Sequence, residues 1–590
     1  MNWRQLLQPG LCPSSQAIPR WQVWVWFAAS LGFATLYGSL ALIQAFDHPY
    51  IVQDDARQHI FWMARFQDPD LFPNDWIANY FQSVAPIGYT WLYRLFAAVG
   101  IEPFTLGKIL PVILSLLTTG FGFGLALELL PIPLTGFITT LLLNQNLWMR
   151  DGYASATPRA FLYPIFAAFL YYLLRRSWLP CLLTIALQVL FYPTYGLIMA
   201  VLLLLRLLDW QRGGLTRDRW HYRIALSGMG VLAILLAGYA LTTSQFGPTM
   251  SAHMAQSLPE FRSGGRASFF RSDPIKFWFT ASRSGLLPRS LLTPITLLLG
   301  LGLPGLLYLR RRSPMAQQVR SWVLLPQLLL AGVTLFLLAH ACLFKLHLPS
   351  RYSGYTFLLA IVLATGIALT LIIDGLLKWL ATPRWGTIIG LSGITLLAIA
   401  VLGYPLTVRS FPITGYITGP APALYQFFAQ QPKDTMIASL AAEANNLPSL
   451  AQRSIWTGSE YAVPYHLGYY QRLRDRTSQL IQAHYSHDLA TLQDFLQQES
   501  IDFVLLETNA FQPDYISSNS WIKQYQPAAA QALAQLQIPQ PIALEQTRKC
   551  CSVLDFDQFQ VLDAHCIEKV PTLDKCTQRF QKVAHRSGGI

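Results

Sequence analysis

Charge is what this 590-residue chain has least of: Asp, Glu, Lys and Arg together make up 12% of it, about half the share a soluble globular chain carries. In their place stand apolar runs, most of them about 20 residues long, which is the length that crosses a bilayer core. An assembly of soluble domains is thereby excluded, and a polytopic membrane protein is what remains. Acidic residues are the scarcer sign, 30 against 43 basic. The resulting charge of +13 does not point to nucleic acid, because the basic residues stand in short clusters between apolar runs, where they set orientation in the membrane. Also missing are a Walker pattern, a dinucleotide-binding fingerprint, an internal repeat, and any cysteine spacing suited to zinc.

Cysteine is sparse and uneven. Cys12, Cys181 and Cys342 are scattered, whereas Cys550, Cys551, Cys566 and Cys576 crowd the polar C-terminus. Four cysteines there suit disulfides if that end faces an oxidising compartment, and the sequence leaves their pairing open.

What is present begins with a polar segment, residues 1–20, containing Arg4 and Arg20. The apolar run from Trp21 to Phe46 is too long for a signal-peptide core and is read as an uncleaved first span, with the N-terminus cytoplasmic. Residues 47–103 mix charge with aromatics such as Trp62, Trp76, Tyr80, Tyr89 and Trp91, and are punctuated by Pro73, Pro86 and Pro103. That texture predicts a first external loop of short juxtamembrane helices. Further apolar runs at roughly 105–128, 132–149, 160–174, 178–192, 194–208, 223–243, 290–308, 322–343, 353–374 and 386–406 bring the expected spans to about eleven. With the N-terminus inside, Arg175-Arg176, the Arg206 to Arg223 segment, Arg310-Arg311-Arg312 with Arg320, and Lys378 with Arg384 all fall on the cytoplasmic side. The transmembrane part is therefore 21–406. Residues 407–590 form an external soluble domain whose strand-like pieces (Met436 to Leu440, Phe503 to Leu506) alternate with helix-like ones (Gly468 to His484, Asp488 to Gln498), a pattern of small α/β domains.

Chemistry concentrates just after the first span, in Gln53-Asp54-Asp55-Ala56-Arg57-Gln58-His59. Adjacent carboxylates at a membrane boundary are costly unless solvated or paired, so Asp54 and Asp55 are read as catalytic, serving as general base for an acceptor hydroxyl or as ligands to a divalent cation. A plainer reading is a solvated helix cap, with Asp55 and His59 sharing a face at i and i+4. Asp54, Asp55 and His59 alone would be an incomplete ligand set, so metal dependence stays open. Arg57, His59, Arg150 and Asp151 are supporting candidates. Thr157-Pro158-Arg159 holds Arg159 at the mouth of a helix, where a guanidinium can grip phosphate or snorkel to headgroups. Lys345, His347, Arg351 and Tyr352 gather positive charge on the external side, against the orientation rule, which suits a phosphate.

The 244–289 loop is likewise basic, and its Ser263-Gly264-Gly265 reads as a hinge that closes over an anionic donor. The cluster from Arg453 through Glu460, Tyr461, His466, Tyr469, Tyr470, Arg472 and Arg474 to Arg476 suits either stacking on sugar rings or docking of the C-terminal domain on the membrane part.

An acidic pair after span one, juxtamembrane helices, about eleven spans and an external C-terminal domain together resemble the GT-C superfamily of polytopic glycosyltransferases, which includes protein O-mannosyltransferases and aminoarabinose transferases. The resemblance covers roughly residues 20–410. It implies that Asp54 and Asp55 act as base or metal ligands and that Arg150, Asp151 and Arg159 are the charged residues at the external end of the third span. It also implies that Lys345, Arg351 and Tyr352 meet the phosphate of a polyprenyl-phosphate sugar donor. The acceptor would be a glycan, a lipid or a protein, transfer would be inverting, and membrane lipids would be the other partners. The Trp-Trp-Asp motif of the oligosaccharyltransferases is not found in the sequence. A non-catalytic transporter or flippase of lipid-linked glycans is the alternative, and it would call for an internal repeat or ionisable residues deep in the spans.

Overall fold

The computed structural model describes residues 18–241, 245–287, 292–308, 313–380 and 385–573. The sequence expectations for residues 1–17, Cys12, Arg289, Arg310-Arg311-Arg312, Arg384 and Cys576 lie outside the described residues.

Six described helices are long and apolar enough to cross a membrane: Arg20–Ala45, Pro103–Leu129, Arg219–Leu241, Leu324–Ala341, Pro349–Leu380 and Trp385–Leu402. The other five apolar runs fall on shorter helical segments, Pro133–Trp148, Pro158–Leu174, Trp178–Phe191, Pro193–Leu205 and Ile295–Tyr308. Proline opens five of these segments, at Pro103, Pro133, Pro158, Pro193 and Pro349, where its missing N–H costs nothing.

Lipid tails are as apolar as leucine, so close backbone approach and interhelical hydrogen bonds must hold such a bundle together. Both are visible around Pro349–Leu380, whose N-terminal end carries Arg351. Thr135 donates to Thr370 at 2.9 Å, and Thr365 donates to the carbonyl of Leu297 at 3.0 Å. Asn144 donates to Thr119 at 2.8 Å, and Gln145 to the Val401 carbonyl at 2.7 Å. At Gly366 a Cβ would stand 2.0 Å from Thr139 Oγ1 and 3.3 Å from the Thr135 carbonyl, so only glycine lets these two helices meet.

The segment after the first long helix forms short pieces: β1 (Ile51–Gln53), a one-turn helix (Ala56–His59), a 3₁₀ stretch (Phe61–Phe66) and two helices (Trp76–Val84 and Ile87–Ala98). Asp75 starts the first of these two by accepting from Ala78 N at 2.9 Å. Along the second, Ile87, Trp91, Leu95 and Val99 lie exposed at four-residue spacing while Tyr89, Tyr93 and Ala97 are buried, the arrangement of a helix lying along an apolar boundary.

β1 pairs antiparallel with β2 (Tyr416–Thr418), which ties this segment to the chain just after the last long helix. The C-terminal domain follows. It has a five-stranded sheet in the order β4-β3-β5-β7-β6, made of β3 (Met436–Ser439), β4 (Ser454–Ile455), β5 (Phe503–Glu507), β6 (Ser552–Phe556) and β7 (Phe559–Asp563). β3 and β5 run parallel, with Leu467–His484 and Leu489–Gln498 between them. One core covers the sheet on the side of Trp456, Ile481, Leu496 and Trp521, while Tyr461, Tyr469 and Leu473 belong to the core of the membrane part. Cys551 and Cys566 are joined in a disulfide.

Gly366→Ala is expected to lower stability by about 1–3 kcal/mol through overpacking between the two helices. Thermal denaturation of detergent-solubilised protein measures it, and an unchanged midpoint would show the contact to be slack.

Candidate functional site

The Asp54-Asp55 segment is fixed from several sides. Asp54 N donates to the Gly415 carbonyl at 3.0 Å, Gln53 Nε2 donates to the Thr414 carbonyl at 3.3 Å, and Gln53 Oε1 accepts from Ala56 N at 3.1 Å. Gln53 therefore does part of the capping of the Ala56–His59 turn, and Asp55, although it stands at the N-cap position, makes no side-chain cap bond. The helix-cap reading of the carboxylates is thereby corrected. With their oxygens free of that duty, both face guanidinium groups.

The two carboxylates diverge. Asp54 pairs with Arg57, whose Nη2 also meets Glu460 Oε2 at 3.0 Å and whose Nη1 donates to Asn446 Oδ1 at 3.0 Å. Asp55 pairs with Arg159, and the same Arg159 Nη2 stands 2.7 Å from Asp151 Oδ2. Arg159 leaves the loop after Pro133–Trp148 on a 3₁₀ turn (Pro158–Phe161). That loop is braced by Ser155 N donating to the Asp151 carbonyl at 3.0 Å, by a Ser155–Thr157 hydroxyl contact at 2.9 Å, and by Tyr93 OH donating to the Ala156 carbonyl at 3.1 Å.

A second guanidinium acts on the Asp55 carboxylate. Arg351, half-buried in the first turn of Pro349–Leu380, donates to Tyr192 OH at 2.9 Å. Its charge acts on both Asp55 and His59. Tyr355, one turn along, lies within the fields of Arg351, Arg159 and Arg150. Among the described residues Arg351 has no carboxylate partner, in contrast to Arg57, Arg159 and Arg266. The hydroxyls of Tyr163 and Tyr195, buried beside Tyr355, have no hydrogen-bond partner among the described residues.

Electrostatics assign protonation states. Burial pushes Asp55 up, but Arg159, His59, Arg351 and Arg266 outweigh it, so its carboxyl lies below the ordinary range and is ionised at neutral pH. Burial pushes His59 down, Asp55 opposes, and Arg159 and Arg351 reinforce, leaving it at about 4 and neutral. His347 is likewise driven well below its ordinary value by burial and by Arg351 and Arg283.

Several sequence expectations need correction. Tyr352 is buried and its hydroxyl donates to the Leu346 carbonyl at 2.9 Å, so it supports the loop and does not face an anion. Lys345 is exposed, and the inward positive charge of its loop comes from Arg351. Ser263-Gly264-Gly265 is a pinned turn and not a free hinge: Gly265 N donates to the Arg262 carbonyl at 3.0 Å and Ala267 N to the Glu260 carbonyl at 3.0 Å, and a Cβ on Gly265 would stand 2.4 Å from that same oxygen. The aromatic cluster of the C-terminal domain docks on the membrane part. Tyr469 stacks on Tyr80 with centroids 3.6 Å apart, and His466 Nδ1 meets Tyr80 OH at 2.9 Å.

Asp54, Asp55 and His59, the candidate metal ligands, are engaged by neighbouring side chains. Each carboxylate already holds a guanidinium, His59 lies edge-on to Phe81, and the described residues contain no group of three or more His, Cys, Asp and Glu able to hold an ion. Tyr355, Asn446 and the site-facing role of Glu460 were missed from the sequence. Tyr355 lies one helical turn from Arg351, which was the one available signal.

No protein-family profile and no curated protein matches the sequence. Solved structures do. The archaeal oligosaccharyltransferase AglB from Archaeoglobus fulgidus, in complex with an inhibitory peptide and a dolichol-phosphate, superposes with TM-score 0.53 at 12% identity over 85% of this chain and 72% of that one. The Archaeoglobus fulgidus oligosaccharyltransferase tethered with an acceptor peptide gives 0.51 at 13% identity, over 86% and 72%. ArnT from Cupriavidus metallidurans in the apo state matches with TM-score 0.41 at 13% identity, over 92% of this chain and 99% of that one. These are GT-C glycosyltransferases. The chain has the GT-C fold. The Asp54-Asp55 segment follows the first long helix, and the charge of Arg351, at the head of Pro349–Leu380, acts on Asp55.

His59 gives a pH prediction. Between about pH 6.5 and about 4 the unfolded chain binds a proton at this ring that the folded site refuses, so stability falls as pH drops through that window. His59→Gln is expected to make the fall shallower, read as melting midpoints at about pH 7 and about pH 4.5. An identical slope would mean that the ring is not held neutral.

Proposed function

We propose that the protein is a GT-C glycosyltransferase that moves a sugar from a polyprenyl-phosphate donor to an acceptor at the external membrane face. The observation that carries the reading is an ionised carboxylate, Asp55, lying in the field of a guanidinium, Arg351, that has no carboxylate counterion among the described residues. A half-buried cation without a partner is unfavourable, and a phosphate is the partner that a planar, five-donor guanidinium suits best. The fold supports the same reading, since one AglB structure holds a dolichol-phosphate.

The eleven helical segments are read as eleven crossings. Arg175, Arg176, Arg206, Arg212, Arg217, Arg219, Arg223 and Lys378 then lie on the cytoplasmic side, and the carboxylates, Arg351 and the C-terminal domain lie outside. The Cys551–Cys566 disulfide suits an oxidising exterior.

In the reaction, the acceptor hydroxyl oxygen attacks the anomeric carbon, a new C–O bond forms there, and the bond from that carbon to the phosphate oxygen breaks. In-line displacement inverts the configuration. The hydroxyl proton passes to Asp55, and the electron pair of the broken bond leaves with the polyprenyl phosphate, whose charge Arg351 offsets. Phosphate is a weak base and needs little acid assistance, so positioning and positive charge supply most of the acceleration. Asp55 is held below the ordinary carboxylate range, which keeps it ready to accept a proton at neutral pH. Its low basicity suits a late transfer, when the attacking oxygen has become acidic. Arg159 fixes the orientation of Asp55, and Asp54, bound to Arg57, holds the segment in place.

Asp55→Asn, folded and expressed normally, is expected to lower the glycoconjugate product by about 10²-fold or more, as seen in mass-spectrometric profiles of cell-envelope glycans and lipids. Every glycoconjugate remaining at wild-type level would refute the reading. Separately, Arg351→Ala is expected to weaken binding of a polyprenyl phosphate to purified protein by about tenfold or more, the worth of a lost charge-assisted hydrogen bond. Unchanged affinity would move the phosphate elsewhere.

A further inference from the structure

Besides β2 and Asn446, the C-terminal domain reaches the catalytic segment through Glu460. Glu460, 12% exposed, sits between two guanidiniums that come from different parts of the membrane domain. Its Oε2 lies 3.0 Å from Arg57 Nη2 and its Oε1 lies 2.7 Å from Arg266 Nη2. Gln58 Nε2 donates to its main-chain carbonyl at 2.9 Å and also to Oε1. Arg266 adds two bonds to the same stretch, donating from Nε to the Ser459 carbonyl at 3.1 Å and from Nη2 to the Glu460 carbonyl at 3.2 Å.

Glu460 is itself held firmly. Asn445 Oδ1 accepts from its N–H at 3.0 Å, and Asn445 Nδ2 donates to Ser459 Oγ at 2.9 Å. Beside it, Asn446 Oδ1 accepts from Arg57 Nη1 at 3.0 Å while its Nδ2 donates to Glu443 Oε1 at 2.9 Å, and Tyr425 OH also donates to Glu443. The consequence falls on Arg57. This side chain holds Asp54, and Arg57 and Gln58 belong to the single helical turn on which Asp55 is the N-cap. Two consecutive residues of a four-residue helix are thus bonded to Glu460. A turn that short has little rigidity of its own, so its orientation is set by what grips it.

We propose that Glu460 is a positioning residue for the Asp54-Asp55 segment, so that the C-terminal domain completes the site. The inference rests on the reading of Asp55 as the base. Without the Glu460 charge, Arg266 is left uncompensated, Arg57 is free to close on Asp54 alone, and the turn bearing Asp55 loses its anchor. A shift of about 1 Å in a reacting group costs about 10²-fold in rate.

The test compares Glu460→Gln, Glu460→Asp and Asp55→Asn in the full-length chain, produced in its own cell envelope. Glu460→Gln is expected to accumulate as folded protein with a lowered melting midpoint, and with product reduced by about tenfold or more. In isolated envelopes supplied with their endogenous donor and acceptor, the acidic limb of its pH profile is expected to move down by about half a unit. The sign follows from charge: removing a neighbouring anion favours ionisation of the remaining carboxylates. A residue that only filled space would not move that limb. Glu460→Asp keeps the charge on a shorter stem and is expected to recover part of the output. If Asp55→Asn abolishes the product while folded Glu460→Gln keeps wild-type output and pH profile, the positioning role is overturned and the transferase reading stands. If Asp55→Asn leaves the product unchanged, the transferase reading itself falls, and this inference with it. Should Glu460→Gln fail to accumulate, wild-type output from Glu460→Asp would overturn the proposal equally.

Discussion

Pairing of charge at a place where charge is expensive governs this structure. Asp55 and Arg159, with side chains 30% and 22% exposed, lie where bulk water covers neither fully. Breaking such a pair leaves its partner uncompensated, a far larger cost than the pair's net contribution to stability. Asp151 shares Arg159, Asp54 shares Arg57, and Glu460 bridges Arg57 and Arg266. The loops are therefore not independent. Moving any one of them away exposes a charge in another, and this mutual requirement gives short, irregular segments a definite geometry.

Polar pairing does similar work inside the helical bundle, for a different reason. Between helices in lipid there is little hydrophobic gain, so threonine hydroxyls, carboxamides and glycine contacts set the register. The Thr135–Thr370 and Asn144–Thr119 bonds fix Pro133–Trp148 against its neighbours. The loop that carries Asp151 and Arg159 begins where that helix ends, and Pro349–Leu380 presents Arg351 from its first turn. Site geometry is thus inherited from bundle register. The same logic explains why the C-terminal domain shares a core with the membrane part through Tyr461, Tyr469 and Leu473, where a tether would have let it move.

Much of this was legible in the sequence, and what was legible shares a cause. Apolar run length located the six helices long and apolar enough to cross a membrane, and also shorter apolar helices, because solvation by lipid acts on every residue of a run at once. The acidic pair stood out because carboxylates are rare beside a span. Contacts between residues far apart in sequence were not legible. Glu460 and Arg57 are 403 positions apart, and nothing local to either marks the partnership. The Ser263-Gly264-Gly265 turn misled for the complementary reason. Glycine permits mobility, but it also permits the close approach at Gly265 that pins the turn. Lys345 and Tyr352 were assigned with Arg351 because composition gives the charge of a loop and not the direction of its side chains. Helix phase separates them: Arg351 and Tyr355 are four residues apart and share one face of the helix, while Tyr352 points back to Leu346.

The asymmetry between the two aspartates follows from these constraints. Both are ionisable, adjacent and near a guanidinium, yet Arg57 is tied to Asn446 and Glu460 of the C-terminal domain, whereas Arg159 is tied to Asp151 of the loop beside it. Asp54 is thereby part of the seam that joins two domains, and an excursion of its carboxylate would disturb that seam. Asp55 faces the side where Arg351 lacks an anionic partner. An incoming phosphate would supply the missing negative charge and weaken the pull of Arg351 on Asp55, so binding of the donor would itself raise the proton affinity of the carboxylate. Under the proposed transfer reaction, the group that receives the proton would become more basic only when there is a leaving group to expel, which would couple donor binding to activation of the acceptor without any movement of the backbone.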